Sequence, residues 1–117
     1  MKKFFILILV LFSTLSCAQN TPAEDSPAFN PENVLIDVRS PQEFEAGHIK
    51  NAVNIPLEKL TADIKNNVTD KEKTIVLYCR TGRRSAIAEN LLKEMGYKSV
   101  INAGTHEDLK ALEDKGN

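Results

Sequence analysis

The sequence is poor in cysteine and aromatic residues and has no excess of positive charge. Its 117 residues include no tryptophan and only two cysteines, Cys17 and Cys79. No Cys-x-x-Cys motif occurs, so a thiol–disulfide oxidoreductase is not indicated. Basic side chains number 15 and acidic ones 16, which is not the charge balance of a nucleic-acid-binding protein. The length suits one small domain rather than two.

The chain also lacks an apolar run long enough to cross a bilayer. Residues 4–12 are almost entirely apolar, whereas a membrane-spanning helix needs about 20 such residues. The run follows a basic start at residues 1–3 and precedes small residues at 13–18. This order is typical of an export signal, which we predict over residues 1–17.

Two ways of processing this signal remain open. Residues 14–17 resemble a bacterial lipobox ending in Cys17, which would be lipidated and would tether the protein to a membrane. Leu15 lies one position nearer the cysteine than the usual pattern has it. Alternatively, cleavage after Ala18 would release a soluble protein. Lipidation at Cys17 is slightly favoured over cleavage after Ala18. The predicted location is the periplasm or a lipid-anchored site at the membrane of a bacterium.

The remaining residues divide into a tether and a domain. Residues 18–31 contain three prolines among small polar residues and predict an extended linker. From residue 32 to 117, short apolar runs that suit buried strands alternate with segments of helical periodicity. The expected strands are 34–38, 52–55, 74–78 and 98–102. This alternation predicts an α/β fold, with helices on both faces of a parallel sheet and ligands at the carboxyl ends of its strands.

Three local signals mark the predicted helices. Ser40 and Glu43 form a capping box with a proline between them at the first helical position. Thr105 is a suitable N-cap for the last helix. The helix after the third strand has an apolar stripe that we expect to face the core, made of Ile87, Ala88, Leu91, Leu92 and Met95.

The chemistry is concentrated in the loop after the third strand. Cys79 ends that strand and precedes a helix N-terminus, a position that favours a thiolate and an anion together. With Cys17 removed or lipidated, Cys79 has no disulfide partner, and the polar loop argues against its burial in an apolar core. We therefore expect Cys79 to be a nucleophile.

The other loop residues suit a small oxyanion. Gly82 permits a tight turn, and Thr81 and Ser85 supply hydroxyl donors. Three of the four arginines lie here, and Arg84 is the strongest candidate ligand for an oxyanion, ahead of Arg80 and Arg83.

The spacing in the loop separates two cysteine chemistries. Cysteine-dependent phosphatases use Cys-x5-Arg, whereas Ser85 is the residue six after Cys79 and arginine comes one earlier, at Arg84. The loop is therefore one residue short for a phosphoryl group. A phosphatase or arsenate-reductase-like enzyme remains the less favoured alternative.

The motifs together resemble the single-domain rhodanese (thiosulfate sulfurtransferase) family, with the nearest likeness to its small exported members. The loop resembles the family's Cys-x-x-Gly-x-Arg-Ser pattern. Four further matches follow in the expected order: residues 37–39, 43–49, 52–56 and 95–104.

The resemblance implies a persulfide mechanism. Cys79 would take sulfane sulfur from thiosulfate or a related donor and pass it to a thiol acceptor, with no metal or organic cofactor. A persulfide carrier or binding module with little thiosulfate turnover stays open as the alternative. Asp37 and Arg39 are expected to support the loop region, with Glu43 a candidate partner of Arg39.

Two histidines and the oligomeric state complete the expectations. His48 is expected to stabilise a turn rather than act as a base. His106, at the start of the last helix, is expected to be a surface residue, with a position near the site as the alternative. A monomer is the default for a domain of this size.

Overall fold

Four parallel strands form the sheet of the computed structural model, which describes residues 26–116. Their spatial order is β2-β1-β3-β4. The strands are β1 (Val34–Asp37), β2 (Val53–Asn54), β3 (Thr74–Cys79) and β4 (Ser99–Thr105). The α-helices are α1 (Pro41–Ala46), α2 (Leu60–Asn67), α3 (Arg83–Glu94) and α4 (His106–Lys115), with short 3-10 turns at Pro27–Phe29 and Leu57–Lys59.

The helix starts follow the predicted caps. Ser40 Oγ accepts from the Glu43 N–H at 3.2 Å, and Glu43 Oε1 accepts from the Ser40 N–H at 2.9 Å. Thr105 Oγ1 likewise accepts from the Asp108 N–H at 3.0 Å. Both caps satisfy backbone donors that the first helical turn leaves free, which fixes where α1 and α4 begin.

Apolar side chains cover both faces of the sheet. On one face, Ile36, Ile75 and Leu77 pack with the buried residues of α2 and α3. On the other face, Val76 and Tyr78 pack with Leu109 of α4 and with Ala28. Alternate residues of β3 thus face opposite layers, as the period of two requires. The predicted parallel α/β sheet with helices on both faces is confirmed.

Two boundaries and one side-chain orientation differ from those expected. Within the predicted tether, Pro27–Phe29 forms a 3-10 turn and Ala28 is buried against the sheet, so the ordered domain begins before residue 32. Of the predicted apolar stripe, Ala88 and Leu92 are buried as expected, whereas Ile87 is 45% exposed and the buried face of α3 includes Ser85. The fourth strand runs on to Thr105, with a register shift opposite Leu77 and Tyr78.

The predicted signal over residues 1–17 and the first part of the tether lie outside the described residues. No helix within residues 26–116 is long and apolar enough to cross a membrane.

Candidate active site

The loop between β3 and α3 contains only three residues, Arg80 to Gly82. Gly82 is the N-cap of α3 and has φ +91°, in the left-handed region that a side chain disfavours. This turn brings the first N–H groups of α3 back toward the end of β3. The predicted position of Cys79, at a strand end directly before a helix, is confirmed.

Cys79 is fully buried, which differs from the expectation that the polar loop would keep it out of the core. Its exposed fraction is 0%, and it packs in the same layer as Ile75 and Leu77. The reason is strand geometry, because residues 75, 77 and 79 of β3 point to one face. The thiol is therefore in an apolar layer on one side and in a polar loop on the other.

Hydrogen-bond donors converge on the Cys79 sulfur. The Gly82 N–H donates to Sγ at 2.9 Å and the Ser85 N–H at 3.4 Å, while Ser85 Oγ lies 3.5 Å away. Burial is the largest single influence on the pKa of Cys79 and raises it. Hydrogen bonds from the Ser85 hydroxyl and from the N–H groups of Ser85, Gly82 and Thr81 together outweigh burial, so the pKa lies below its usual value. The site thus favours a thiolate.

The Ser85 hydroxyl has one proton and three acceptors within reach. Asn102 Oδ1 lies at 2.7 Å, the Gly82 carbonyl oxygen at 3.1 Å and Cys79 Sγ at 3.5 Å. Distance favours donation to Asn102 while Cys79 is a neutral thiol. The backbone N–H groups are then the constant donors to the sulfur, and the hydroxyl becomes a further donor when the sulfur is charged.

Asn102 is a site residue that the sequence analysis did not identify. Its Oδ1 also accepts from the Gly104 N–H at 2.9 Å, and its Nδ2 donates to the Gly82 carbonyl at 3.3 Å. It therefore connects the irregular end of β4 to the cysteine loop. Its place at the carboxyl end of a strand, beside that of Cys79, was the available signal.

Arg84 forms an ion pair with Glu43 of α1. Arg84 Nη1 and Nη2 donate to Glu43 Oε1 and Oε2 at 2.9 and 3.1 Å. The hydrogen bond from Arg84 is the main reason that the pKa of Glu43 falls to about 2. Arg80 Nη1 lies 4.0 Å from the same carboxylate. The expectation that Glu43 would pair with Arg39 is wrong.

Arg39 instead forms a buried ion pair with Asp37. Arg39 Nη2 lies 2.7 Å from Asp37 Oδ2, and the two side chains are 6% and 0% exposed. Arg39 also donates to the Gly47 carbonyl at 2.6 Å, and Asn54 Nδ2 donates to the carbonyls of both Asp37 and Arg39 at 3.0 Å. This network joins β1 to β2 and to the end of α1, so its role is to stabilise the fold.

The remaining loop side chains face outward. The Arg80 side chain is 75% exposed, and Thr81 and Arg83 are exposed as well. Arg80 and Thr81 line a cavity of about 480 Å³ together with Arg39, Glu43, Ala46, His106 and Glu107. We call this cavity the loop cavity. A larger cavity of about 660 Å³ lies around Phe29, Lys50 and Val53 and contains none of the loop residues.

The two histidines differ in setting. His48 Nδ1 lies 2.9 Å from the Phe44 carbonyl, and its ring stacks on Phe44 at 3.7 Å, which agrees with the predicted turn-stabilising role. His106 lines the loop cavity, and its Nε2 is buried without a hydrogen-bond partner among the described residues. Burial is the main reason that its pKa lies below the usual value. His106 is therefore less of a surface residue than expected.

Within residues 26–116, no group of three or more His, Cys, Asp or Glu side chains is placed to hold a metal ion. The site presents the sulfur of Cys79, the donors around it and the arginines of the loop.

Comparison with known proteins gives one consistent family. A family model described as "Rhodanese-like domain" matches residues 23–104. Over 90 residues the chain is 41% identical to thiosulfate sulfurtransferase PspE of Escherichia coli (strain K12), covering 77% of this chain and 86% of that protein.

Solved structures give the same result. The structure of a rhodanese with anions from E. coli has a TM-score of 0.63 at 42% identity, covering 65% of this chain and 89% of that chain. The human single-domain sulfurtransferase TSTD1 has a TM-score of 0.60 at 29% identity, covering 68% of this chain and 82% of that chain.

Proposed function

Because the chain belongs to the rhodanese-like domain family, we propose that it is a thiosulfate sulfurtransferase whose nucleophile is Cys79. The observation that carries this proposal is the set of donors around the sulfur, with the Gly82 N–H at 2.9 Å and the Ser85 N–H at 3.4 Å. They stabilise negative charge on a sulfur that burial alone would keep neutral. A thiolate at this position is the reagent that sulfur transfer requires.

The reaction has two steps. The Cys79 thiolate attacks the outer sulfur of thiosulfate, a sulfur–sulfur bond forms, and the bond to the sulfonate sulfur breaks. Sulfite leaves with the electron pair, and Cys79 becomes an anionic persulfide. A nucleophile such as cyanide or a thiolate then attacks the terminal sulfur and releases the Cys79 thiolate. Charge balances in both steps, and the covalent intermediate makes the kinetics ping-pong.

The loop residues have separate roles in this scheme. The N–H groups of Gly82 and Ser85 hold the charge on sulfur, and the Ser85 hydroxyl can join them. Arg80, Thr81 and Arg83 face solvent or the loop cavity, where they can attract and hold the anionic donor. Arg84 can contribute to the donor site only if it leaves Glu43. Asp37 and Arg39 act by fixing the strand ends beneath the loop.

The test is thiocyanate formation from thiosulfate and cyanide by residues 19–117, beside Cys79→Ser. Thiocyanate from the wild type and none above background from the variant would support both the activity and the nucleophile. An inactive wild type whose thiol is free by mass spectrometry would exclude thiosulfate as donor, and a persulfide carrier would then be the better assignment. Activity retained by Cys79→Ser would exclude Cys79 as the nucleophile.

We also propose that the protein is exported and acts outside the cytoplasm as a monomer. The sequence of residues 1–17 supports export, and the alternatives for its processing are a lipid anchor on Cys17 and release after Ala18. The small size of the domain supports the monomer. Intact mass of the mature protein, with Cys17→Ser as the control, separates the two. Light scattering of residues 19–117 tests the monomer.

A further inference from the structure

The main arginine of the cysteine loop is already bound to a carboxylate. Both terminal nitrogens of Arg84 donate to Glu43, at 2.9 and 3.1 Å, in the two-pronged geometry that a bound oxyanion would use. The Arg84 side chain is 35% exposed and that of Glu43 is 24% exposed, so solvent and small anions can reach the pair. A negatively charged donor approaching the loop therefore meets a neutralised arginine.

We propose that Glu43 is a specificity-determining residue that occupies Arg84 and thereby weakens the binding of multiply charged anions at the cysteine loop. The proposal deepens the proposed function and rests on it for its kinetic consequences. By this arrangement the site disfavours dianionic donors such as thiosulfate relative to neutral or singly charged sulfur compounds. Glu43 acts through Arg84 and through its own charge, without touching the sulfur.

The position of Glu43 is fixed by a second set of bonds. Its Oε1 accepts from the Ser40 N–H at 2.9 Å and lies 3.1 Å from Ser40 Oγ, so the capping box of α1 holds the carboxylate in place. The carboxylate also lines the loop cavity and lies 4.0 Å from Arg80. One acidic side chain therefore lowers the effective charge of two of the loop arginines.

The matched variants are Glu43→Gln and Glu45→Gln. Glutamine at position 43 can keep the capping box while the charge is lost. Glu45 is on the same helix and exposed, and no ion pair joins it to the loop among the described residues. The two variants change the net charge equally, so any difference between them reports the position of Glu43.

The first measurement needs no enzymatic activity. It compares the rates at which iodoacetate, an anion, and iodoacetamide, which is neutral, alkylate Cys79 in residues 19–117. Both reagents need the same access to the buried thiol, so the ratio of rates isolates the effect of charge. We expect Glu43→Gln to raise the iodoacetate-to-iodoacetamide ratio about two- to fivefold at low salt, and Glu45→Gln to leave it unchanged. The rise should shrink as salt is added.

The second measurement uses thiosulfate. We expect Glu43→Gln to raise kcat/KM for thiosulfate about four- to twenty-fivefold, mainly through a lower KM, because the electrostatic free energy doubles for a dianion and the fold-change is therefore squared. In an Arg84→Gln background, the same change at position 43 should have a smaller effect. This dependence identifies Arg84 as the group that Glu43 occupies.

Two results would overturn the proposal. A lower alkylation ratio in Glu43→Gln would mean that Glu43 orients Arg84 for anions instead of occupying it. Equal ratios for Glu43→Gln and the wild type would mean that the ion pair is only structural.

A wild type that forms no thiocyanate would refute the proposed function, while the alkylation ratio would still decide the role of Glu43. Thermal unfolding of each variant confirms that the compared proteins are folded.

Discussion

The hydroxyl of Ser85 lies 2.7 Å from Oδ1 of Asn102, closer than its 3.5 Å distance from the sulfur of Cys79. The one proton of the hydroxyl therefore has competing acceptors. The hydroxyl donates to Asn102 Oδ1 while Cys79 is a neutral thiol. When Cys79 is a thiolate, its sulfur becomes a stronger acceptor for the same proton. The reactivity of Cys79 should depend on residues from both β4 and α3.

Ser85→Ala should raise the pKa of Cys79, because a donor to the thiolate is removed while burial still opposes the charge. Alkylation by iodoacetamide at pH 7 should slow about tenfold or more, the effect of losing one hydrogen bond to a charged group. The pH dependence of the alkylation rate measures this. An unchanged profile would mean that the backbone N–H groups alone set the pKa.

Asn102→Ala should have a different effect. The Ser85 proton becomes free to turn to the sulfur, so the pKa of Cys79 should not rise. The Gly104 N–H loses its acceptor, however, and the free energy of unfolding should fall by about 1–3 kcal/mol. Urea unfolding and the same alkylation profile test both parts. A raised pKa would show that Asn102 holds Ser85 in place for the sulfur rather than competing with it.

The Glu43–Arg84 pair should make the free energy of unfolding depend on pH in the acidic range. The pKa of Glu43 is about 2 in the folded chain against 4.5 for the free side chain. Its contribution is therefore present above pH 4.5 and is lost as the pH falls toward 2, because the unfolded state then binds more protons. With screening at this partly exposed site, we expect about 1 kcal/mol at pH 7. The stability gap between wild type and Glu43→Gln, from urea unfolding at several pH values, should narrow on acidification. A constant gap would contradict this.

Asp37→Asn should be strongly destabilising. It removes one partner of a pair whose side chains are 6% and 0% exposed and leaves the Arg39 charge buried. The expected loss is about 3–5 kcal/mol in the free energy of unfolding. Glu89→Gln is the control, because it breaks an exposed pair with Lys93 on α3 and should cost about 0.5 kcal/mol or less. Similar losses for the two variants would contradict the expectation that the buried Asp37–Arg39 pair contributes more to stability than an exposed pair.

Tyr78→Phe tests a buried hydrogen bond on the face of the sheet opposite to Cys79. The Tyr78 hydroxyl accepts from the buried Ile49 N–H at 3.0 Å. Phenylalanine keeps the ring but leaves that N–H without a partner, at an expected cost of about 1–3 kcal/mol. Thermal or urea unfolding measures the loss, and faster amide exchange at Ile49 would locate it. No change in either would mean that water replaces the hydroxyl.

Local sequence signals predicted much of this protein. The capping box at Ser40 and Glu43, the cap at Thr105 and the place of Cys79 between strand and helix depend on residues within a few positions of one another, and all are confirmed. The family resemblance is also confirmed, because its motifs are short and ordered along the chain. Ile87 was assigned to the wrong face because a helix of mixed composition has more than one face that could be buried.

Contacts between distant segments were the part that could not be predicted. Glu43 and Arg84 are 41 residues apart, and Ser85 and Asn102 are 17 apart. With several arginines and carboxylates near the same edge of the sheet, the sequence offers no distances with which to choose partners. Asp37 and Arg39 are two residues apart, and yet their pairing also depends on the burial that β2 and α1 provide.

The sequence by itself determined the α/β alternation, the place of Cys79 between a strand end and a helix start, and the glycine that permits the turn between them. These follow from local periodicity and from the conformational freedom of glycine. Only the tertiary structure decided that Cys79 is buried, that Asn102 reaches Ser85 and that Glu43 occupies Arg84. Those outcomes depend on how α1, α3 and β4 pack around one sheet edge, because hydrogen bonds and ion pairs act over a few ångströms and only packing sets such distances.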